Sequence, residues 1–168
     1  MKKILAVFRK FNYYGSVNNS LDLLLSLDDS KYDITIIFLK RKSTEINARY
    51  INLLDKKKIN YFFLDKISFL NYRIIQKIPN FFKEILIKKK YGKFFKNNNN
   101  FDYYYLNDHL TDYKYILQKL TIDKIIFHIH YSKNLYNFSK EIIDGYKNAK
   151  LNLVKKNLLK KDLVKLGV

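Results

Sequence analysis

The sequence predicts a single α/β domain over residues 1–168, built as a doubly wound, mostly parallel sheet flanked by helices. Stretches with strand character alternate along the chain with stretches of helical periodicity. The strand candidates are continuous apolar runs, which is typical of parallel strands buried on both faces. With 168 residues, 48% of them hydrophobic, the chain is long enough to bury a core of this kind.

The first half of the chain predicts three strands. Residues 4–8 (ILAVF) are an apolar run and form the first, and apolar side chains then recur at intervals of three and four over residues 17–27, which indicates a helix. The β-branched run of residues 32–39 (YDITIIFL) predicts the second strand, and residues 59–64 (INYFFL) predict the third. An amphipathic helix, capped by a serine or a threonine, is expected between them.

The second half of the chain begins irregularly. Residues 66–100 contain the only proline and end in an asparagine run. Residues 101–106 (FDYYYL) and 125–129 (IIFHI) then predict the fourth and fifth strands, each followed by an amphipathic helix. Residues 150–157 predict a sixth strand, and residues 158–166 predict a closing helix.

The composition limits the classes of function. The chain has no cysteine, which excludes disulfides, thiolate metal sites and a cysteine nucleophile. The net charge is +18, from 33 Lys and Arg against 15 Asp and Glu, but the favoured residues (Lys, Asn, Ile, Tyr and Phe) have A/T-rich codons, so codon bias explains much of the excess. No apolar run is long enough for a transmembrane helix, and the apolar part of the N-terminus is too short for a signal peptide. We expect a cytoplasmic protein, with peripheral contact to the inner membrane face left open.

The carboxyl ends of the predicted strands indicate where a ligand would bind. In open parallel sheets, ligands occupy the crevice beyond these ends. The candidate loops therefore follow the first, second, fourth and fifth strands, at residues 9–16, 40–43, 107–109 and 130–134.

Two of these loops carry polar or glycine candidates with competing interpretations. Gly15 would let the backbone approach a ligand at the start of a helix, although geometry alone favours an ordinary strand-to-helix turn there. Asp108 would orient a sugar hydroxyl or a histidine, or it would only cap the next helix. The chain contains neither a G-x-G-x-x-G nor a phosphate-binding G-x-x-x-x-G-K-S/T motif.

The fifth strand ends in two histidines that share one face of the sheet. His128 and His130 are separated by one residue and approach the predicted crevice. One imidazole there would suffice for a general base or a hydrogen-bonding role, whereas a polar strand end needs no function. No carboxylate has a recognisable metal-ligand spacing to this pair, so no metal site is predicted. Elsewhere, lysines and aromatics alternate in residues 83–96, which suits either an anionic membrane surface or an ordinary solvated helix.

In their order and spacing, these stretches together resemble the N-terminal, acceptor-side domain of GT-B glycosyltransferases of the group 1, family 4 type. Those proteins begin with a strand, a Gly-Gly turn and a helix of "LLDLL" character. Gly15 matches the second glycine of that turn, and the segments "LDLL" and "YDIT" match the helix and the next strand. The segment "KIIFHIH" resembles the family's later "KIAWIH", which brings His130 onto the family histidine. The closing "NLVKKNLLKKDLVKLGV" resembles a segment that usually reads "VSE", a helix and a glycine.

The chain also departs from that family. Tyr14 replaces the first glycine, Val17 replaces a common acidic residue, and Lys156 and Asn157 replace the usual Ser and Glu. The family carries a second Rossmann-like domain, with the nucleotide-sugar site, beyond the point that matches residue 168. We therefore expect one Rossmann-like half of a GT-B fold, as a fragment, a truncated gene product or one half of a split enzyme.

The resemblance implies transfer of a sugar from a nucleotide-sugar donor to a cell-surface glycan or lipid-linked acceptor, with the chain inactive alone. It implies that His130 is catalytic, that Gly15, Asp108 and His128 bind substrate, and that His128 is the supporting or buried member of the pair. No cofactor or metal is expected, because the donor is a substrate held mainly by a C-terminal donor-binding domain or a split partner chain. The alternative is a non-catalytic basic α/β module that binds anionic membrane or nucleic acid, although no specific nucleic acid is expected.

Overall fold

A computed structural model of the chain describes residues 1–11, 15–41, 48–63, 89, 92–96, 100–107, 120–130, 140–154, 157–165 and 167–168. The strands in these residues are β1 (Lys2–Phe11), β2 (Tyr32–Arg41), β3 (Asn60–Phe63), β4 (Tyr103–Asn107), β5 (Ile125–Ile129) and β6 (Leu151–Val154). The helices are α1 (Gly15–Leu25), α2 (Ala48–Lys56), α3 (Lys140–Asn148) and α4 (Asn157–Lys165), with a 3₁₀ turn over Ile122–Lys124 and a short helical stretch over residues 92–96.

The six strands form one parallel sheet in the order β3-β2-β1-β4-β5-β6. This is a Rossmann-like arrangement, and the predicted α/β fold class is confirmed. The strand order reverses between β1 and β4, where Ile4 pairs with Tyr103 in register. The switch point of the sheet, the usual place for a ligand in such folds, therefore lies at the carboxyl ends of these two strands.

Helices cover both faces of the sheet. On the front face, which carries Ile4, Ala6 and Phe8, the strands pack against buried side chains of α1 and α2. On the back face, which carries Leu5 and Val7, they pack against α3, α4 and the helical stretch 92–96. The alternation of side chains along each strand explains the division, because neighbouring residues point to opposite faces. Continuous apolar runs are required where both faces are covered in this way.

Most predicted elements are confirmed; β5 has the predicted bounds, and the other strands differ at one end or at both. The first strand extends from Lys2 to Phe11 instead of residues 4–8, because β1 stays paired with β2 through both basic flanks. Residues 92–96, which lie in the irregular stretch of the sequence, are helical and bury Phe95 in the back core. The closing helix is present and begins at Asn157. The helix predicted after the fourth strand lies outside the described residues.

Helix α4 ends in a well-formed C-terminal cap. Gly167 adopts a left-handed conformation with φ of 75°, and its N–H donates to the Val164 carbonyl at 2.9 Å. The Val168 N–H donates to the Leu163 carbonyl at 3.0 Å, which completes a Schellman motif. Leu163 is buried in the back core and Val168 packs against the same cluster, so the cap fixes α4 to the sheet.

In the part of the chain that the structure describes, no helix is both long and apolar enough to cross a membrane.

Candidate functional site

Helix α1 carries one polar residue in its buried stripe. Val17, Ser20, Leu21 and Leu24 are the buried residues of this helix, at the spacing of one helical face. Ser20 has no exposed surface. A buried hydroxyl must find hydrogen-bond partners inside the protein, so its surroundings define a polar site within an otherwise apolar interface.

The partners of Ser20 come from the ends of β4 and β5. Asn107, the last residue of β4, pairs in register with His128 of β5, and His130 follows two residues later. The two-residue period of a strand places His128 and His130 on the same front face, and their ring centroids lie 4.0 Å apart. Since α1 also covers the front face, the serine meets both histidines and the asparagine at one point.

The four side chains form a compact hydrogen-bonded group, which we call the Ser20 cluster (Ser20, Asn107, His128 and His130). The Ser20 hydroxyl donates to the Asn107 side-chain oxygen, with the two oxygens 2.5 Å apart. Ser20 Oγ lies 3.1 Å from His130 Nε2 and 3.0 Å from His128 Nδ1. His130 Nε2 is also 3.2 Å from Asn107 Oδ1. Asn107 is 2% exposed and His130 is 8% exposed, so most of the cluster is shielded from water.

The hydrogen-bond donors and acceptors of the cluster determine which ring nitrogen of His130 carries a hydrogen. The single hydroxyl hydrogen of Ser20 is directed to Asn107 Oδ1, which can only accept. Both oxygens near His130 Nε2 are therefore acceptors, and that nitrogen must carry a hydrogen. In the neutral ring, His130 Nδ1 is then the basic nitrogen.

Tyr105 extends the cluster along β4. Its hydroxyl hydrogen-bonds to His128 Nδ1, and its ring meets the His128 ring edge to face at 5.8 Å between centroids. His128 is partly exposed, whereas His130 is buried, which is the reverse of the order expected from the sequence.

The other predicted site residues do not join the cluster in the described structure. Gly15 is the exposed first residue of α1, about 7 Å along the helix axis from Ser20. A Cβ atom built on Gly15 would meet nothing within 4 Å, so contacts within the protein do not require glycine there. Asp108 lies outside the described residues. Within those residues, no group of three or more His, Cys, Asp or Glu side chains could hold a metal ion.

Sequence reasoning missed Ser20 and Tyr105 and included Asn107 only as part of the candidate loop at residues 107–109. The available signal for Ser20 was its position between Val17 and Leu21, where the apolar stripe of α1 predicts an apolar residue. A polar residue at such a position needs a polar partner, although the sequence does not identify which one.

Comparisons with known proteins add little. No protein family matches the sequence, and no curated protein matches it. A solved structure of Haloferax mediterranei glucose dehydrogenase, in complex with NADP, zinc and gluconolactone, is similar at a TM-score of 0.41 and 10% sequence identity. The alignment covers 98% of this chain and 39% of that chain, and a likeness this weak carries no argument about function. The resemblance to GT-B glycosyltransferases stays a prediction.

Proposed function

We propose that the chain forms the acceptor-side half of a GT-B type glycosyltransferase. The observation that supports this best is the position of the Ser20 cluster. Its Asn107 and His130 stand at the carboxyl ends of β4 and β5, beside the switch point between β1 and β4. The resemblance puts its family histidine at His130, so the residue that the family pattern selects is a member of this cluster.

In this proposal the two histidines have different tasks. His128 is partly exposed and contacts the acceptor sugar, with Tyr105 holding its ring. His130 is the candidate catalytic residue, because Ser20 and Asn107 hold its Nε2–H and leave Nδ1 as the basic atom. Gly15 and Asp108 remain substrate-binding candidates from the resemblance.

The proposal divides the reaction between two domains. A nucleotide-sugar donor would bind mainly to a second domain or a split partner chain, and the acceptor would be a cell-surface glycan or a lipid-linked sugar. The chain would work in the cytoplasm, at the inner face of the membrane where such acceptors are made. We therefore expect no turnover of nucleotide sugars by the 168-residue chain alone.

Binding of the acceptor can be tested without the second domain. Saturation-transfer NMR would compare a panel of oligosaccharides with UDP- and GDP-sugars against the wild-type chain, His130→Ala and His130→Gln. We expect an oligosaccharide to bind the wild type, and His130→Ala to weaken it. His130→Gln, whose side-chain amide can still donate to Asn107, controls for loss of packing. Absence of any oligosaccharide binding, or sugar transfer by the chain alone, would contradict the proposal.

A further inference from the structure

Helix α4 presents a basic face with an apolar centre to the solvent. Lys160, Lys161 and Lys165 are exposed, and Val164 between them is 61% exposed. These residues are three or four positions apart, or adjacent, and so occupy one side of the helix. The opposite side carries Leu163, which is 3% exposed in the back core. The Schellman cap holds the helix in this orientation.

The exposed face borders an open space on the protein surface. Lys160, Lys161, Val164 and Lys165 line an open depression of about 580 Å³ on the surface of α4. Lys147 of α3 lies beside the C-terminal cap of α4, with Nζ 3.3 Å from the position of a Cβ built on Gly167. The depression and its lysines form what we call the α4 basic face.

The positive charge of this face is not neutralised by the described side chains. The ion pairs among them involve Lys2, Lys31 and Lys57, which lie on other elements. None of the carboxylates with described side chains pairs with Lys160, Lys161 or Lys165. The face therefore attracts anions, within a chain whose net charge of +18 adds a long-range contribution.

We propose that the α4 basic face docks on the anionic headgroups of a phospholipid membrane. Val164 favours a membrane over nucleic acid as the binding partner, because it is an apolar side chain surrounded by lysines. A bilayer interface accepts this arrangement, because the valine enters the boundary of the acyl chains while the lysine stems extend to the headgroups. The phosphates of a nucleic acid would pair with the lysines, but they provide no apolar contact for an exposed valine. The face also has no described aromatic ring on which a base could stack.

This surface is different from residues 83–96, which the sequence singled out for membrane contact and of which only residues 89 and 92–96 are described. It is also independent of sugar transfer, since lipid binding needs neither an acceptor glycan nor the Ser20 cluster. Failure of one proposal leaves the other standing.

Vesicle cosedimentation tests the docking surface. The full chain would be titrated with phosphatidylcholine vesicles and with vesicles that also contain phosphatidylserine, at several salt concentrations. We expect binding only to the anionic vesicles, and weaker binding as salt rises. The triple variant K160Q/K161Q/K165Q should lose affinity by on the order of 100-fold, since each lysine near an anionic surface contributes a factor of about five.

A matched triple variant controls for net charge. Lys56, Lys57 and Lys58 are exposed at the end of α2, which packs on the opposite face of the sheet. K56Q/K57Q/K58Q removes the same charge and should lose much less affinity. Circular dichroism of both variants would verify that each is folded. Equal losses in the two triple variants, or no loss in the α4 variant, would overturn the assignment.

Substitutions of Val164 distinguish binding to a membrane from binding to nucleic acid. Val164→Leu adds one methylene and should raise vesicle affinity about fourfold, and Val164→Asp should abolish most binding. Val164→Leu should leave the affinity for an oligonucleotide duplex unchanged. Tighter binding of the duplex than of the vesicles, insensitive to Val164→Leu, would overturn the membrane in favour of nucleic acid.

Discussion

Replacing Ser20 with alanine removes the hydroxyl that joins helix α1 to the ends of β4 and β5. Ser20 Oγ contacts Asn107 Oδ1, His128 Nδ1 and His130 Nε2 at 2.5, 3.0 and 3.1 Å. If all three partners were left buried without a hydrogen bond, the cost would be the sum of three desolvation penalties, each about 1–3 kcal/mol.

The surrounding contacts limit this cost. His130 Nε2 still faces Asn107 Oδ1 at 3.2 Å, so these two groups continue to satisfy each other. His128 Nδ1 keeps the Tyr105 hydroxyl. The net loss is therefore close to one buried hydrogen bond, together with one buried polar atom that keeps only part of its hydrogen bonding. We expect Ser20→Ala to lower the free energy of unfolding by about 2 kcal/mol. For a chain of this length, the melting temperature should fall by roughly 4–8 °C.

Urea unfolding of the wild type and the variant measures this difference through the midpoint, provided that the slope is unchanged. Ser26→Ala is the matched control, because the exposed Ser26 hydroxyl donates to the Leu23 carbonyl at 2.7 Å and water can replace it. This control should stay within about 0.5 kcal/mol of the wild type. Nitrogen-15 NMR of the histidine rings gives a second measurement, in which wild-type His130 carries its hydrogen on Nε2.

Two results would refute the reasoning. One is a Ser20→Ala protein as stable as Ser26→Ala, which would mean that the buried hydroxyl contributes no net hydrogen bond. The other is a neutral His130 with its hydrogen on Nδ1 in the wild type, which is incompatible with an acceptor at both oxygens near Nε2.

Three further predictions concern other parts of the fold. Gly167→Ala places a side chain on a residue with left-handed backbone and should lower the free energy of unfolding, measured in urea, by about 1 kcal/mol. Gly15→Ala is the control: its Cβ meets open space, so the variant should be as stable as the wild type or slightly more stable. Equal effects of the two substitutions would contradict the cap. The Lys3 backbone N–H, 2.8 Å from the carboxylate, lowers the pKa of Asp102 below its ordinary 3.8. This contact stabilises the fold above about pH 4 and is lost as the pH falls through the lowered pKa, so Asp102→Asn should flatten the acid side of the stability curve, and an unchanged curve would refute it. Phe127→Ala empties a fully buried position of β5 and should cost about 3–5 kcal/mol by urea unfolding, with a loss below 1 kcal/mol contradicting the packing.

The sheet was predictable because a strand covered on both faces needs an unbroken apolar run, and such runs are visible in one sequence. Most strand ends were not predictable, because pairing with a neighbouring strand decides them. Lys10 and Phe11 belong to β1 since they face Lys40 and Arg41 across the ladder, and no local pattern shows that. Propensity and periodicity describe a segment, whereas its length in a sheet is set by the partner strand.

The Ser20 cluster was only half predictable for a related reason. A two-residue period puts His128 and His130 on one face, and the crevice rule puts that face near a ligand. Ser20 is separated from Asn107 by 87 positions and from His128 by 108, and they meet only because β4 lies beside β1 and β5 lies beside β4 in the sheet. Strand order is a property of the whole chain, and a single sequence does not show it.

The types of polar residue at this point in the core indicate more about function than the number of polar residues does. Replacing a buried hydrogen-bonded set by apolar groups of similar shape is often nearly neutral, so stability alone does not require Ser20 and Asn107 where the rest of the interface is apolar. What such a set provides is orientation, since each hydrogen bond fixes a ring and a tautomer. In this protein the atoms fixed are those of two imidazoles at the carboxyl edge of a parallel sheet, beside its switch point. An oriented imidazole at that edge is suited to hold or move a proton on a bound ligand, so the His130 and Ser20 variants, rather than substitutions in the apolar core, decide whether this domain takes part in chemistry.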